Sequence, residues 1–466
     1  MPRFVVLVEV VEAPIAQNPP RQLRKPKPRQ ILEVTKCVVT LNPFLPFLVK
    51  LYPKTEKIYM LEPSGQKWIV KVEGGPRRVN HAAVQVGEAI YSFGGFCTGE
   101  DYMLPRPIDV SVLNTRTFRW ILLESHQLWV GDGPDEVSLK NVPFQRYGHT
   151  VVAHGNNVYL FGGRNDQGAC NKLYKFNTTE AKWTLIKATG CIPGARDGHS
   201  ACVINNRMYV FGGFEEQADR FSNDVYALDL STYKWDYVCT QGVPPTHRDF
   251  HSVCAIGSRM YVFGGRRTLD SLYHTQQDTY CNKLTYLDTE TSRWHVARAD
   301  GDVPMGRRSH SSFSYRGEMY IFGGYDSVKK KHYGTMHCYS PVDERWREIQ
   351  INVGRTGPPC ARRRHASIVV RDRLFVFGGT SPCEPRNSPT AKVREHEIDD
   401  GEARPEKLVD HNDLYVLDFR PTLSTLCLSK VIEVGLNQRD LPISLQMRLR
   451  DMIACNQLSR PIDYAG

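Results

Sequence analysis

The chain has 466 residues, 41% of them hydrophobic, and a formal net charge of +10. That length can bury a sizeable core as one large domain or several ordinary ones. Thirteen scattered cysteines, an odd number with no C-x-x-C pair, argue against a disulfide framework or a zinc knuckle and for a reduced, intracellular protein.

At the start, MPRFVVLVEVVEA is broken by Glu9 and Glu12 and lacks a small-residue cleavage site. LNPFLPFLVKLY at 41–52 is too short and too proline-broken to span a bilayer, so neither targeting nor membrane contact is expected. Residues 1–66 hold ten Lys/Arg against five Asp/Glu, half of the total net charge. Their densest stretch, RQLRKPKPRQ at 21–30, reads as a solvated, disordered arm, and nucleic acid is not expected as a partner.

From residue 67 a period emerges. Diglycines preceded by an apolar run end at Gly95, Gly163, Gly213, Gly265, Gly324 and Gly379, and RMYVFGG occurs twice, at 207–213 and 259–265. Thirteen residues before each first glycine stands the histidine of an R-x-x-H: His81, His149, His199, His251, His310 and His365. Each unit reads as a hairpin, as in HSACVINNRMYVFGG, followed by a third strand and a fourth around Trp120, Trp183, Trp235, Trp294 or Trp346. Four short strands in a unit of about fifty residues match the kelch blade of a β-propeller, whose blades need neighbours to bury both faces. An all-β, six-bladed kelch propeller over 67–420 is expected. The strand around Trp68 lacks a blade of its own and is assigned to the outer edge of the sixth, which a charged loop at 382–407 interrupts.

Antiparallel strands place the R-x-x-H starts and the segments after the diglycines on one face. The arginine and histidine found in every blade read as bridges or packing between blades. Arginines present in only some blades, Arg164, Arg266, Arg267 and Arg308, are the candidates for holding an anion, because guanidinium donates paired hydrogen bonds to carboxylate or phosphate. Glu100, Asp101, Tyr102, Asp166, Asp197, Asp249 and Phe250 share that face. No G-x-S-x-G, H-E-x-x-H or phosphate-cradling loop is present, so no catalytic residue, metal or cofactor is expected.

After Phe419 the pattern turns helical. TLSTLCLSKVIEVG at 422–435 puts Leu423, Cys427, Val431 and Val434 on one stripe and stops at Gly435. LPISLQMRLRDMIACN follows with Asp440 as N-cap and Leu445, Leu449, Met452 and Ile453 as a second stripe. These helices over 421–455, followed by a tail at 456–466, need something to cover their apolar faces, either the side of the propeller or a partner.

Thr422-Leu423 with Cys427 and Val431 looks like the elongin C-binding box, and Leu441-Pro442 with Leu445 and Leu449 looks like the cullin-2 box that follows it. From Trp68 onward the chain resembles the kelch-repeat substrate receptors of cullin-2 RING ubiquitin ligases that read C-terminal degrons ending in glycine. EGGPRRVNHAA, GEDY, RRSHS, GGTSP and the helical tail carry the match, and the first 66 residues depart from it. The resemblance implies a non-catalytic receptor working in cytoplasm and nucleus with elongin C/elongin B, cullin-2 with its RING subunit, and the C-terminal peptides of substrate proteins. It further implies that Arg266, with Arg308 and Ser309, grips the terminal carboxylate; the loop RTLDSLYHTQQDTY departs from the sister receptors. A basic residue upstream in the peptide is expected near Glu100, Asp101 or Asp249. Leu423 would fill a pocket on elongin C, and Leu441 and Pro442 would meet the cullin. The chain's own Gly466 offers self-association through the same mouth. The rival reading is a non-degradative kelch scaffold with chromatin or other nuclear partners.

Overall fold

The computed structural model describes residues 47–49, 59–61, 65–123, 141–268, 273, 278–351, 356–382 and 408–459. The basic arm at 21–30, almost all of the 382–407 loop and Gly466 lie outside the described residues.

Six sheets stand side by side, each with four antiparallel strands running outward from the strand that follows an R-x-x-H, and in blades 3 and 5 a short parallel strand, Thr189–Gly190 or Asp300–Gly301, adds to the outer edge. Blade 3 shows why the repeated sequence folds this way. Asn205 and Asn206, at φ 47° and 61°, make the tight turn that joins Ser200–Ile204 to Arg207–Phe211. Val225–Asp229 and Lys234–Tyr237 then add outward in order. Blades 1, 2, 4 and 5 begin at Ala82–Val86, Thr150–His154, Ser252–Ile256 and Ser311–Tyr315. The sixth takes Ala366–Val370, Arg373–Phe377 and Leu414–Asp418 from its own stretch, and Lys67–Val72 from the far side of the chain pairs with Leu414–Asp418 as its outer strand. Ala366–Val370 also neighbours Ala82–Val86, so the innermost strands form a closed circuit.

Between each pair of blades lies one apolar layer. Its centre is a contact the periodicity alone could not specify: the outer-strand tryptophan of one blade packs on the phenylalanine before the diglycine of the preceding blade. Trp183 meets Phe93, Trp235 meets Phe161, Trp294 meets Phe211 and Trp346 meets Phe263, with ring centroids 5.0–5.6 Å apart. Trp68 meets Phe322 at 6.4 Å and Trp120 meets Phe377 at 4.9 Å, so the two blades at the closure obey the same rule. A large aromatic buried in this way contributes about 1.5–3 kcal/mol through its area, and tilted ring pairs add to it.

Two helices follow: α1 over Leu423–Val434 and α2 over Ile443–Ile453. Thr422 caps α1 by accepting from the Thr425 N–H at 3.2 Å, and Gly435 ends it at φ 65°, the left-handed conformation that glycine adopts freely. The start of α2 differs from expectation, since its cap position is Pro442 rather than Asp440; proline's fixed φ suits a helix start. Both helices lie on the seam between blades 6 and 1. Leu428, Val431, Leu449 and Met452 join Ile69, Val70, Val72 and Trp120 in one core, and Lys67 pairs with Glu433 at 2.6 Å. Beyond α2, the Asn456 side chain accepts from the Trp120 N–H at 2.8 Å, and the Asn456 and Leu458 N–H groups donate to Glu73 and Gly74. The helical tail therefore clasps the closing strand. No helix among the described residues is long and apolar enough to cross a membrane.

Trp68→Ala is expected to cost about 3–5 kcal/mol, the usual loss for a buried tryptophan, because it opens the sixth blade and the layer behind it. Equilibrium denaturation measures this directly, and a loss below about 1 kcal/mol would show that the ring does not depend on its closing strand.

Candidate functional site

The R-x-x-H motifs build the inner rim from backbone outward. Arg146, Arg196, Arg248, Arg307 and Arg362 are buried, and each donates through Nη1 to the carbonyl of the first glycine of its own diglycine at 2.7–3.1 Å. The second glycine then donates its N–H to the carbonyl of the next blade's motif arginine. All six such bonds are present, from Gly95 to Arg146 at 2.8 Å round to Gly379 and Arg78 at 2.9 Å. The histidines fill the angle: a Cβ on Gly162 would lie 2.5 Å from the His199 ring, so only glycine admits it. Burial, with Arg196 beside it, pushes His199 down to about 3, leaving a neutral ring that bonds the Thr150 hydroxyl of the preceding blade at 2.9 Å. The repeated arginine and histidine are thus blade-to-blade fasteners.

Nearest the axis, the third residue of each motif forms a second ring. Asn80, Gly148, Gly198, Phe250, Ser309 and Arg364 all have positive φ, 48–68°, and each N–H donates to the carbonyl of its predecessor at 2.8–3.1 Å, Asn80 closing on Arg364. Residues just after the diglycines pair with the motif's second position, as Asp249 does with Arg266, Arg308 with Tyr325 and Arg363 with Thr380. Both sets of candidate residues therefore stand on one mouth.

The structure brings some of the candidates together there. Arg266, Arg308 and Ser309 come from consecutive blades. Arg266 is held by the buried Asp249, through Nε at 3.0 Å and Nη2 at 2.5 Å, and lies near the faces of Phe221 and Phe250. Arg308 reaches Asp278 at 3.4 Å. Arg164 approaches Asp197 at 3.9 Å and Glu216 at 3.5 Å. Arg267, the neighbour of Arg266 on a short strand, has its guanidinium near the Thr246 hydroxyl at 3.4 Å rather than among these groups, as alternation along a strand requires.

The acids fare differently. Glu100 is committed to Arg78 and Arg106; burial works to raise its carboxyl, but the two arginines win and hold it low. Asp249 is buried beneath Arg266 and offers nothing to an incoming base. Asp101 is exposed, its carboxylate accepting the Met103 N–H. Burial, helped by neighbouring Asp249 and opposed by Arg164, pushes Asp197 up to about 7.

Two residues of the site were overlooked in the sequence. Arg363 and Arg364 follow Arg362 in the sixth motif, R-R-R-H. Arg363 lies 4.1 Å from the centre of the Tyr325 ring. Arg364 occupies the axial ring, and among the described residues its side chain makes no hydrogen bond or ion pair. Burial, then repulsion from Arg363, Arg308 and Arg266, outweighs the attraction of Asp410 and brings it down to about 10. The signal was available: the rule that selected Arg308, an arginine beside the repeated one, selects these two as well.

On the tail, Leu423 is exposed, Cys427 half-buried and Pro442 exposed, while Leu441 and Leu445 are half-buried against the seam core. Val431 is turned fully into that core, so the expected stripe of Leu423, Cys427 and Val431 is divided between two faces. The seam core that also holds Leu428, Leu449 and Met452 claims Val431. Ile443, Met447 and Ile453 join Leu423 among the exposed apolar side chains.

Six sheets, their diglycines and their R-x-x-H fasteners define a kelch-repeat propeller, a class of protein–protein interaction domain. The model for the KLHDC2/KLHL20/DRC7 Kelch-repeats domain matches residues 148–379. Kelch domain-containing protein 3 of Homo sapiens is 45% identical over 398 residues, covering 85% of this chain and 98% of that protein, and its Mus musculus counterpart is 44% identical over the same span. Host cell factor 2 of Homo sapiens is 28% identical over 270 residues, 54% of this chain and 32% of that protein. The chain belongs to the family of kelch domain-containing protein 3.

A carboxyl whose folded pKa lies above its unfolded value stabilises the fold below the unfolded value, and that contribution is lost as pH rises through the folded one. For Asp197 the window runs from about pH 4 to 7 and spans about 4 kcal/mol as an order of magnitude. Asp197→Asn is therefore expected to raise Tm at pH 8 and to gain progressively less as pH falls to 5. A gain independent of pH would contradict the assignment.

Proposed function

We propose that this protein is the substrate-recognition subunit of a cullin-2/elongin B/elongin C RING ubiquitin ligase, and that its propeller mouth binds C-terminal peptides ending in glycine. One observation carries the reading. Arg364, half-buried on the axial ring and repelled by three other arginines, is attracted by Asp410 but forms no ion pair with it or with any other described residue, and a desolvated cation without a paired counter-ion calls for an anion from outside. Arg308 and Arg363 are close enough to repel it, Ser309 adjoins it on the axial ring through its carbonyl, and Arg266 is fixed in place by Asp249.

A terminal carboxylate suits this mouth better than an internal acid, because it sits at the very end of a chain. Glycine has no side chain, so the carboxylate can descend to a ring built of backbone. A basic residue upstream in the peptide would meet the exposed Asp101 or Asp166 on the rim, since Glu100 and Asp249 are already engaged. On the other side of the assembly, the outward Leu423 and Cys427 of α1 are offered to elongin C. Leu441, Pro442 and Leu445 are offered to cullin-2, with the inner face of the helices anchored on the seam. Such a receptor would serve in cytoplasm and nucleus.

Two measurements test the two ends of the molecule separately. In calorimetry, a glycine-ended peptide should bind with its terminus free and lose all measurable binding when the terminus is amidated. Arg364→Gln should weaken binding roughly 30- to 100-fold, equivalent to a charge-assisted bond of about 2–3 kcal/mol. Retained affinity for the amide would refute carboxylate capture. Leu423→Asp, on an exposed site, should abolish elongin C co-purification while leaving peptide affinity and Tm unchanged; undiminished co-purification would refute the ligase assignment.

A further inference from the structure

On the sixth blade, outside the arginine mouth, one cysteine sits among groups that activate sulfur. Cys360 is exposed and lies two residues before Arg362. Its Sγ is 3.3 Å from Arg362 Nη2, 3.4 Å from His411 Nε2 and 3.7 Å from the Ser381 hydroxyl. Behind them stands Asp413, which pairs with Arg362 at 2.6 and 2.9 Å and lies 3.8 Å from His411 Nδ1. Tyr415 carries the Arg362 guanidinium 5.6 Å above its ring. The sulfur therefore faces a fixed cation, an imidazole that can take its proton, and the Ser381 hydroxyl, which is also 2.7 Å from His411 Nε2 and turns to the sulfur when that nitrogen accepts the proton.

We propose that Cys360 is an activated thiol, a covalent modification site for soft electrophiles of the α,β-unsaturated carbonyl class. The step needs no other reactant. His411 Nε2 takes the thiol proton, the sulfur forms a bond to the β-carbon, and the carbon–carbon π pair shifts toward the carbonyl as an enolate. The proton then passes to the α-carbon, leaving a thioether with no change of oxidation state. Arg362 stabilises the thiolate before attack and loses that contact afterwards.

The charge environment agrees with this geometry. Burial works to raise the Cys360 thiol, but His411 and Arg362 outweigh it and bring it down to about 7. The chain holds its own controls in Cys191, Cys239 and Cys455, which are also exposed; among the described residues no hydrogen bond reaches their sulfurs.

The test uses the full chain and N-ethylmaleimide at less than one equivalent, with alkylation of each cysteine followed by peptide mass spectrometry between pH 5.5 and 9. Cys360 should react about tenfold faster than Cys191, Cys239 and Cys455 at pH 6.5. That figure allows for the lower intrinsic nucleophilicity of a low-pKa thiolate. Its rate should level off above about pH 7, whereas theirs keeps rising. His411→Ala should move the Cys360 profile toward theirs, Arg362 retaining part of the effect. Equal rates at all four cysteines across the pH range overturn the proposal, and this comparison within the wild-type chain stands even if the variant does not fold.

Discussion

The structure depends on a circuit of backbone hydrogen bonds around the axis. Six N–H groups, from Asn80 to Arg364, each point to the carbonyl of the preceding blade, and each carries the positive φ that this direction demands. A second circuit, from the diglycine N–H groups to the motif arginine carbonyls, runs parallel to it. Neither circuit contains a side-chain donor or acceptor, so the axial side chains are released from structural duty. Asn80, Phe250, Ser309 and Arg364 differ from blade to blade because only their backbone is prescribed. A closed propeller thus combines a rigid frame with a chemically free centre, which is the arrangement a recognition surface requires.

Much of the fold was legible because it is written six times. The constant distance from histidine to diglycine exposed the hairpin, and the tryptophan left over at position 68 pointed to a strand from one end of the chain in the sixth blade, where Lys67–Val72 is found. The repeats could not convey direction across the blades. That each tryptophan serves the phenylalanine of the preceding blade, and each histidine its diglycine, is a relation between units and appears only when they stand in a ring.

The site was legible less evenly. Arg266, Arg308 and Ser309 do share the mouth, yet the sequence does not distinguish an arginine already matched by acid from one left without. Asp249 pairs directly with Arg266 and absorbs much of its charge, whereas Arg364 feels Asp410 without forming an ion pair among the described residues, and that difference decides which cation awaits a ligand. Glu100 misled for the same reason, since its partners Arg78 and Arg106 lie six or more residues away in sequence. In the tail, helical periodicity located α1 and its stop at Gly435 correctly. It placed Val431 with Leu423, however, because a period cannot say which part of a stripe the ring will cover. The helices consequently do two things at once: the inner face stabilises the seam where the ring closes, and the outer face stays apolar and exposed.

The central claim is that the mouth arginines of blades 4 to 6, with Arg364 on the axial ring, receive a chain terminus. A structure of the protein bound to a glycine-ended peptide tests it most directly. The account predicts the terminal carboxylate seated among Arg364, Arg308 and Arg266, within hydrogen-bonding distance of the Arg364 guanidinium and above an unchanged backbone ring. A peptide found along the outer edge of a blade, or with its carboxylate turned to solvent, would contradict it.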